Sequence, residues 1–234
     1  MNHTDAEQLE QVIGYSFSNL ALLTQALSHS SYANEHRAEG MGDNERLEFL
    51  GDSVLEIVSS EFLYLSFPDK PEGELTRLRA SLVCEATLAF CARQFDLPSY
   101  LLLGKGEERT GGRGRASIVS DALEALIGAI YLDGGLESAK DFIVRFILTD
   151  YEHKRMFTDS KTLLQEVIQR DFKNSEVVYQ VTGEQGPDHN KLFMVDLVLD
   201  QETVGSGSGS TKKAAEQEAA YRALIELKKR GIRV

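Results

Sequence analysis

Apolar positions along the chain change period near residue 150. Before that point they recur at helical spacing. Leu20, Leu22, Leu23, Ala26 and Leu27 mark one helix, and Val54, Leu55, Val58, Phe62 and Leu65 mark another. Phe67-Pro68 ends the second, because a residue before proline avoids the helical region. Leu75 to Phe95 reads as one further helix, with apolar Leu78, Leu82, Leu88 and Cys91. Every residue from Ala125 to Leu132 is apolar or Gly, which predicts a helix buried on all sides. After residue 160 a short helix, Leu163 to Arg170, precedes alternating stretches at Glu176–Thr182, Leu192–Leu199 and Glu202–Val204. These predict an antiparallel three-stranded sheet. A strong helix follows from Lys212. The expected architecture is an all-α domain over 1–150, a polar linker over 151–160, and a small α-β-β-β-α domain over 161–230.

Two glycine-rich stretches are open to more than one reading. Leu101–Ser117 sets Gly104, Gly106, Gly111, Gly112 and Gly114 among Lys and Arg. It is too polar to pack and lacks the spacing of a nucleotide-cradling loop, so a mobile surface loop is expected. Arg109, Arg113 and Arg115 leave phosphate contact as the other reading. Gly205-Ser-Gly-Ser-Gly-Ser-Thr211 passes for a flexible linker. It also opens a helix at Lys212 and Lys213, where free N–H groups, the helix dipole and two lysines suit a phosphate. The other reading there is an N-cap followed by solvated lysines.

The chain has 234 residues, 42% hydrophobic, enough for folded cores. Its net charge of −12 argues against nucleic acid until it is divided. Residues 1–150 hold 12 Lys+Arg against 24 Asp+Glu, and residues 151–234 hold 13 of each. Residues 210–234 hold 7 Lys+Arg against 3 acids. That asymmetry suggests an anionic partner held near the C-terminus. The polar, acidic N-terminus is no signal peptide. Ala125–Leu132 is too short to span a bilayer, so no membrane association is expected. Cys84 and Cys91 lie two helical turns apart, about 10 Å, too far for a disulfide. They read as free thiols of a cytoplasmic protein.

The chemistry lies in two acidic segments. Glu45, Glu48 and Asp52 share one helix face, beside a stripe of Leu47, Leu50, Val54 and Ile57. Asp121 and Glu124 stand one turn apart at the head of the apolar helix. Like charges about 4 Å apart repel by about 4 kcal/mol at an effective dielectric near 20. Without compensation such carboxylates hold protons, with raised pKa values. Oxygen ligands with no His or Cys point to Mg²⁺, with Mn²⁺ as a substitute, rather than zinc. Solvated surface acids are the other reading, best suited to Glu45 and Glu56.

Asn44-Glu-Arg-Leu-Glu-Phe-Leu-Gly-Asp-Ser-Val-Leu55 resembles the signature of bacterial ribonuclease III, a double-stranded-RNA endonuclease family. Ser120-Asp-Ala-Leu-Glu-Ala-Leu-Ile-Gly-Ala-Ile-Tyr-Leu-Asp133 resembles its second acidic motif. Ala26–Glu35 and Pro71–Ala80 also fit, although Ser30 stands where the family often has Arg. Lys161–Glu166, Gly186–Lys191 and Gly207–Gln217 resemble the double-stranded RNA-binding domain, with Thr211 where Ser is common.

The resemblance implies a homodimer whose signature helices face each other across an acidic valley, with Phe49 and Leu50 as contacts between copies. Leu50 is equally readable as intrachain core. It implies that Glu48, Asp121 and Glu124 hold Mg²⁺, that Asp52 completes the site and orients the attacking water, and that Asp52 and Glu124 are catalytic. Glu45 and Glu72 would line the valley. In the C-terminal domain Gln165, Glu166 and Gln169 would face one minor groove and His189 a second, with Lys212 and Lys213 on the phosphates between them. Such modules span about 16 base pairs. The expected products carry 5′-phosphate and 3′-hydroxyl ends, and ribosomal and other structured transcripts are the expected substrates. No cofactor beyond the metal is expected. Two competing readings are a non-catalytic RNA-binding protein on the same fold, and a phosphohydrolase of small nucleotides with no use for residues 161–234.

Overall fold

Residues 3–40, 42–150, 154, 156–157, 159–173, 175–186, 191–209 and 211–234 are described by the structure, a computed structural model. The chain divides into two units, Met1–Tyr151 and Glu152–Val234.

The N-terminal unit is helical: α1 His3–Ile13, α2 Leu20–Ala26, α3 Ser30–Glu35, α4 Glu45–Ser66, α5 Glu72–Leu82, α6 Glu85–Gln94, α7 Leu97–Tyr100, α8 Lys105–Arg109 and α9 Ala116–Ile143. The long helices α4 and α9 form its spine. α9 is buried nearly all round from Ile118 to Ile130, as its unbroken apolar run requires. α4 buries Leu47, Val54, Leu55 and Val58. Of the apolar stripe that also holds Leu47 and Val54, Ile57 is 61% exposed and Leu50 is half-buried. The 3.6-residue period carries Ile57 round to the outer face, where Phe49 and Tyr64 are also exposed.

The stretch expected as one helix from Leu75 to Phe95 is two. It breaks at Val83-Cys84, where Cys84 is extended (φ −75°, ψ 154°) and Thr87 donates its hydroxyl to the Ser81 carbonyl at 2.6 Å. That bond satisfies a carbonyl the break would leave open, and apolar spacing does not register it. Neither Cys84 nor Cys91 forms a disulfide.

The segment 101–117 is ordered, not a loose loop. It holds α8 and a 3₁₀ turn at Gly112–Gly114. Arg113 forms a two-pronged pair with Glu108 and donates to the Pro98 and Ser99 carbonyls. Arg115 pairs with Glu107 at 2.7 Å. These Arg–Glu pairs hold the polar residues in place while Leu101, Leu103 and Ala116 pack on the core.

In the C-terminal unit α10 (Ser160–Asp171) is followed by β1 (Val177–Gln185), β2 (Leu192–Leu199), β3 (Glu202–Gly209) and α11 (Lys212–Lys229). The sheet is antiparallel in the order β1-β2-β3. Val195, Leu197, Leu199 and Val204 pack against Ala215, Ala219, Ala223 and Leu224 of α11. Within the segment expected as a linker, Met156 is buried in this same core and Ser160 donates to the Gln217 carbonyl.

Gly205, Gly207 and Gly209 are not a flexible linker but the inward face of β3. A Cβ on Gly205 would lie 2.7 Å from the Ala223 amide nitrogen, and one on Gly207 2.8 Å from the Glu218 carbonyl carbon. The helix therefore lies directly on the strand backbone, and only glycine fits between.

Candidate active site

The site forms where α4 crosses α9. A Cβ on Gly51 would overlap the Glu124 carbonyl and sit 2.9 Å from the Gly128 amide nitrogen; one on Gly128 would overlap the Leu47 carbonyl. The two glycines let the backbones touch. Glu48 of α4 then meets Asp121 and Glu124 of α9, with one oxygen from each carboxylate within 4.8 Å of the others. All three are half-buried.

The head of α4 is pinned from the other side. Asn44 is buried, its backbone N–H donates to the Ser28 carbonyl at 2.9 Å, and its side chain reaches the Ala26 carbonyl at 3.3 Å. Its own carbonyl accepts from Leu47 and Glu48. His29, next to Ser28, is held by the Leu102 carbonyl and by Ser31.

The electrostatics are those of crowded, partly dehydrated anions. Burial, then the charges of Asp52, Asp121 and Glu48, push the Glu124 carboxyl up to about 8. Burial, then Asp121, Glu45 and Asp52, raise Glu48. Burial also raises Asp121; a hydrogen bond from Ser120 and the nearby His29 oppose this, while the charge of Glu85 adds to it. Asp52 is exposed at the rim and contributes charge to both Glu48 and Glu124. Glu45 is exposed one turn above Glu48. Glu72, at the start of α5, accepts from Thr76 at 2.8 Å and lines a groove with Ile57 and Tyr64 instead of joining the cluster.

Three oxygen donors within reach of one ion, all needing positive charge, fit a hard divalent cation. No side chain of the cluster offers sulfur or nitrogen, so a zinc-type centre does not fit.

In the C-terminal unit Gln165, Glu166 and Gln169 are exposed on α10, while Leu164, Val167 and Ile168 face its core. Lys212 and Lys213 are the first two residues of α11 and are exposed. Thr211 caps that helix by accepting the Ala214 N–H at 3.1 Å. His189 lies outside the described residues. Sequence reasoning missed the parts played by Gly51, Gly128, Asn44 and His29. The available signal was a glycine inside each of two otherwise strong helices.

Residues 19–151 match the family model described as ribonuclease-III-like. The chain belongs to the ribonuclease III family. Residues 160–227 match the double-stranded RNA binding motif. The ribonuclease 3 of Listeria innocua is 45% identical over 223 residues, covering 94% of this chain and 97% of that protein. That of Desulforamulus reducens is 48% identical over 229 residues, covering 97% and 93%. Among solved structures, the nuclease domain of ribonuclease III from Campylobacter jejuni matches with a TM-score of 0.58 at 43% identity. One such structure covers 62% of this chain and 98% of its own; its description concerns a region involved in dimer formation. A ribonuclease III with an RNA-binding module is an endoribonuclease acting on double-stranded RNA. The family's divalent-metal requirement has its counterpart in the carboxylate cluster. The purely RNA-binding and small-nucleotide readings are set aside. No helix among the described residues is long and apolar enough to cross a membrane.

Proposed function

We propose that this ribonuclease III cuts duplex RNA in a Mg²⁺-dependent reaction, with Glu48, Asp121 and Glu124 holding the cation and Asp52 beside them. The convergence of three half-buried carboxylates carries this reading. When bound, the cation supplies a low-pKa water and offsets charge on the departing 3′ oxygen. Asp52, exposed at the rim, is free to accept a proton from the attacking water and to orient it. Glu124, the most dehydrated of the group, keeps its charge once the cation is present. Products would carry 5′-phosphate and 3′-hydroxyl ends. Glu45 and Glu72 widen the acidic surface that the RNA backbone must approach. Ribosomal and other structured transcripts in the cytoplasm are the proposed substrates, and two cysteines outside any disulfide fit that reducing compartment.

The working unit we propose is a homodimer. Phe49 (77% exposed), Ile57 and Tyr64 leave an apolar stripe on the outer face of α4, beside a groove of about 420 Å³ lined also by Leu75. Such a stripe on the site-bearing helix suits a second copy. Duplex affinity we assign to Gln165, Glu166 and Gln169 on one face, to His189, and to Lys212 and Lys213 on phosphate.

The test is a long duplex RNA incubated with the full chain and Mg²⁺ or chelator. Cutting with Mg²⁺ alone, lost in Asp52→Asn and Glu124→Gln while binding persists, is expected. A mutant that cuts normally would remove its residue from the site.

A further inference from the structure

One carboxylate sits inside the cationic end of the C-terminal unit. Glu184, Phe193 and Gly209 stand side by side across β1, β2 and β3. That row delivers Glu184 to the first residue of α11. Its Oε1 lies 3.8 Å from Lys212 Nζ and its Oε2 3.2 Å from Lys191 Nζ. The Lys212 ammonium also lies 5.7 Å from the centre of the Phe193 ring. Lys213, one residue on, has no carboxylate partner among the described residues.

Two oxygens of one anion thus serve two lysines, the arrangement a phosphodiester with two free oxygens would satisfy equally. We infer that Glu184 is an internal stand-in for an RNA phosphate, holding Lys191 and Lys212 at a set spacing and competing with RNA for them. This rests on Lys212 as a phosphate contact. A phosphate arriving at Lys212 displaces Glu184 and then lies beside its charge. Glu184 therefore weakens duplex binding and favours release of cut RNA. An ordinary bracing ion pair predicts the opposite: its removal would loosen the lysines and weaken binding.

The experiment measures duplex-RNA binding by the full chain in chelator, across a potassium chloride series, for the natural protein, Glu184→Gln, Lys212→Ala and the double variant. Glu184→Gln should bind about two- to fivefold tighter at low salt, the scale of an exposed ion pair. Its salt dependence should steepen by about one released ion. Thermal unfolding should stay unchanged, since Glu184 is on the surface. The gain should shrink in the Lys212→Ala background. Equal or weaker binding by Glu184→Gln overturns the inference even where Lys212→Ala weakens binding. A full gain in the absence of Lys212 overturns the assignment to this pair. Unchanged binding by Lys212→Ala overturns the phosphate reading itself, and this inference with it.

Discussion

Gly51 and Glu124 meet backbone to backbone: the α-carbon of one leaves no room for a methyl group against the carbonyl of the other. The contact sets the separation of α4 and α9, and so the distance between Glu48 and the two acids of α9. Gly51→Ala must push the helices apart, because backbone cannot rotate away as a side chain can. Overpacking of this kind costs about 1–3 kcal/mol. Urea unfolding should show that loss, and cutting of duplex RNA should fall at least tenfold as the cluster widens. Wild-type stability and cutting in this variant would mean the close crossing is dispensable.

The raised Glu124 carboxyl gives a pH signature. In the metal-free protein it is lifted from an ordinary value of 4.5 to about 8. A carboxyl with a raised folded-state pKa favours folding while protonated. That contribution is complete below about pH 4.5 and is lost as pH climbs through about 8. Chelated protein should therefore lose thermal stability across this window, and Glu124→Gln should flatten the loss and be the more stable protein at pH 8. Divalent cation should stabilise the natural protein at pH 8 and release protons on binding, and should do both less in Glu124→Gln. Calorimetry in buffers of different ionisation enthalpy measures the protons. No proton release would contradict the carboxyl's raised state.

The acidic cluster was legible in the sequence because spacing alone brings Asp121 and Glu124 to one face and sets both in an apolar helix. The same logic placed Glu48 on a face of α4. It could not show that the two faces meet, since that depends on Gly51 and Gly128, which read as weak points in strong helices. Two errors share one cause. Residues 75–95 were read as continuous, and 101–117 as loose. In each case periodicity counted apolar residues where the outcome was decided by a side-chain hydrogen bond at Ser81 or by Arg–Glu pairs. The Gly/Ser stretch of β3 failed for a related reason. Composition cannot distinguish glycine that is free from glycine that is required by a helix lying on it.

β3 supplies a direct check of that last point. Gly207→Ala introduces a methyl against the Ala219 amide and the Ala215 carbonyl. The C-terminal unit should lose about 1–3 kcal/mol of stability. Duplex affinity should drop with it. Ser206→Ala and Ser208→Ala, at the alternating positions of the same strand, should change stability by less than about 0.5 kcal/mol. If all three substitutions behave alike, the strand does not carry the helix as described.

Lys212 and Lys213 head α11 with Thr211 as its cap, so their side chains can be removed without uncapping the helix. Lys212→Ala with Lys213→Ala should leave thermal unfolding nearly unchanged while weakening duplex binding. The slope of log affinity against log salt should fall by about one for each lysine that neutralises a phosphate. The defect should be largest at low salt and shrink as salt rises, because the lost term is counterion release. Thr211→Ala separates charge from helix geometry: it removes the cap at about 1 kcal/mol and leaves both lysines in place. A double-lysine variant with weaker binding but an unaltered slope would mean these lysines act by shaping the helix end, with the phosphates held elsewhere.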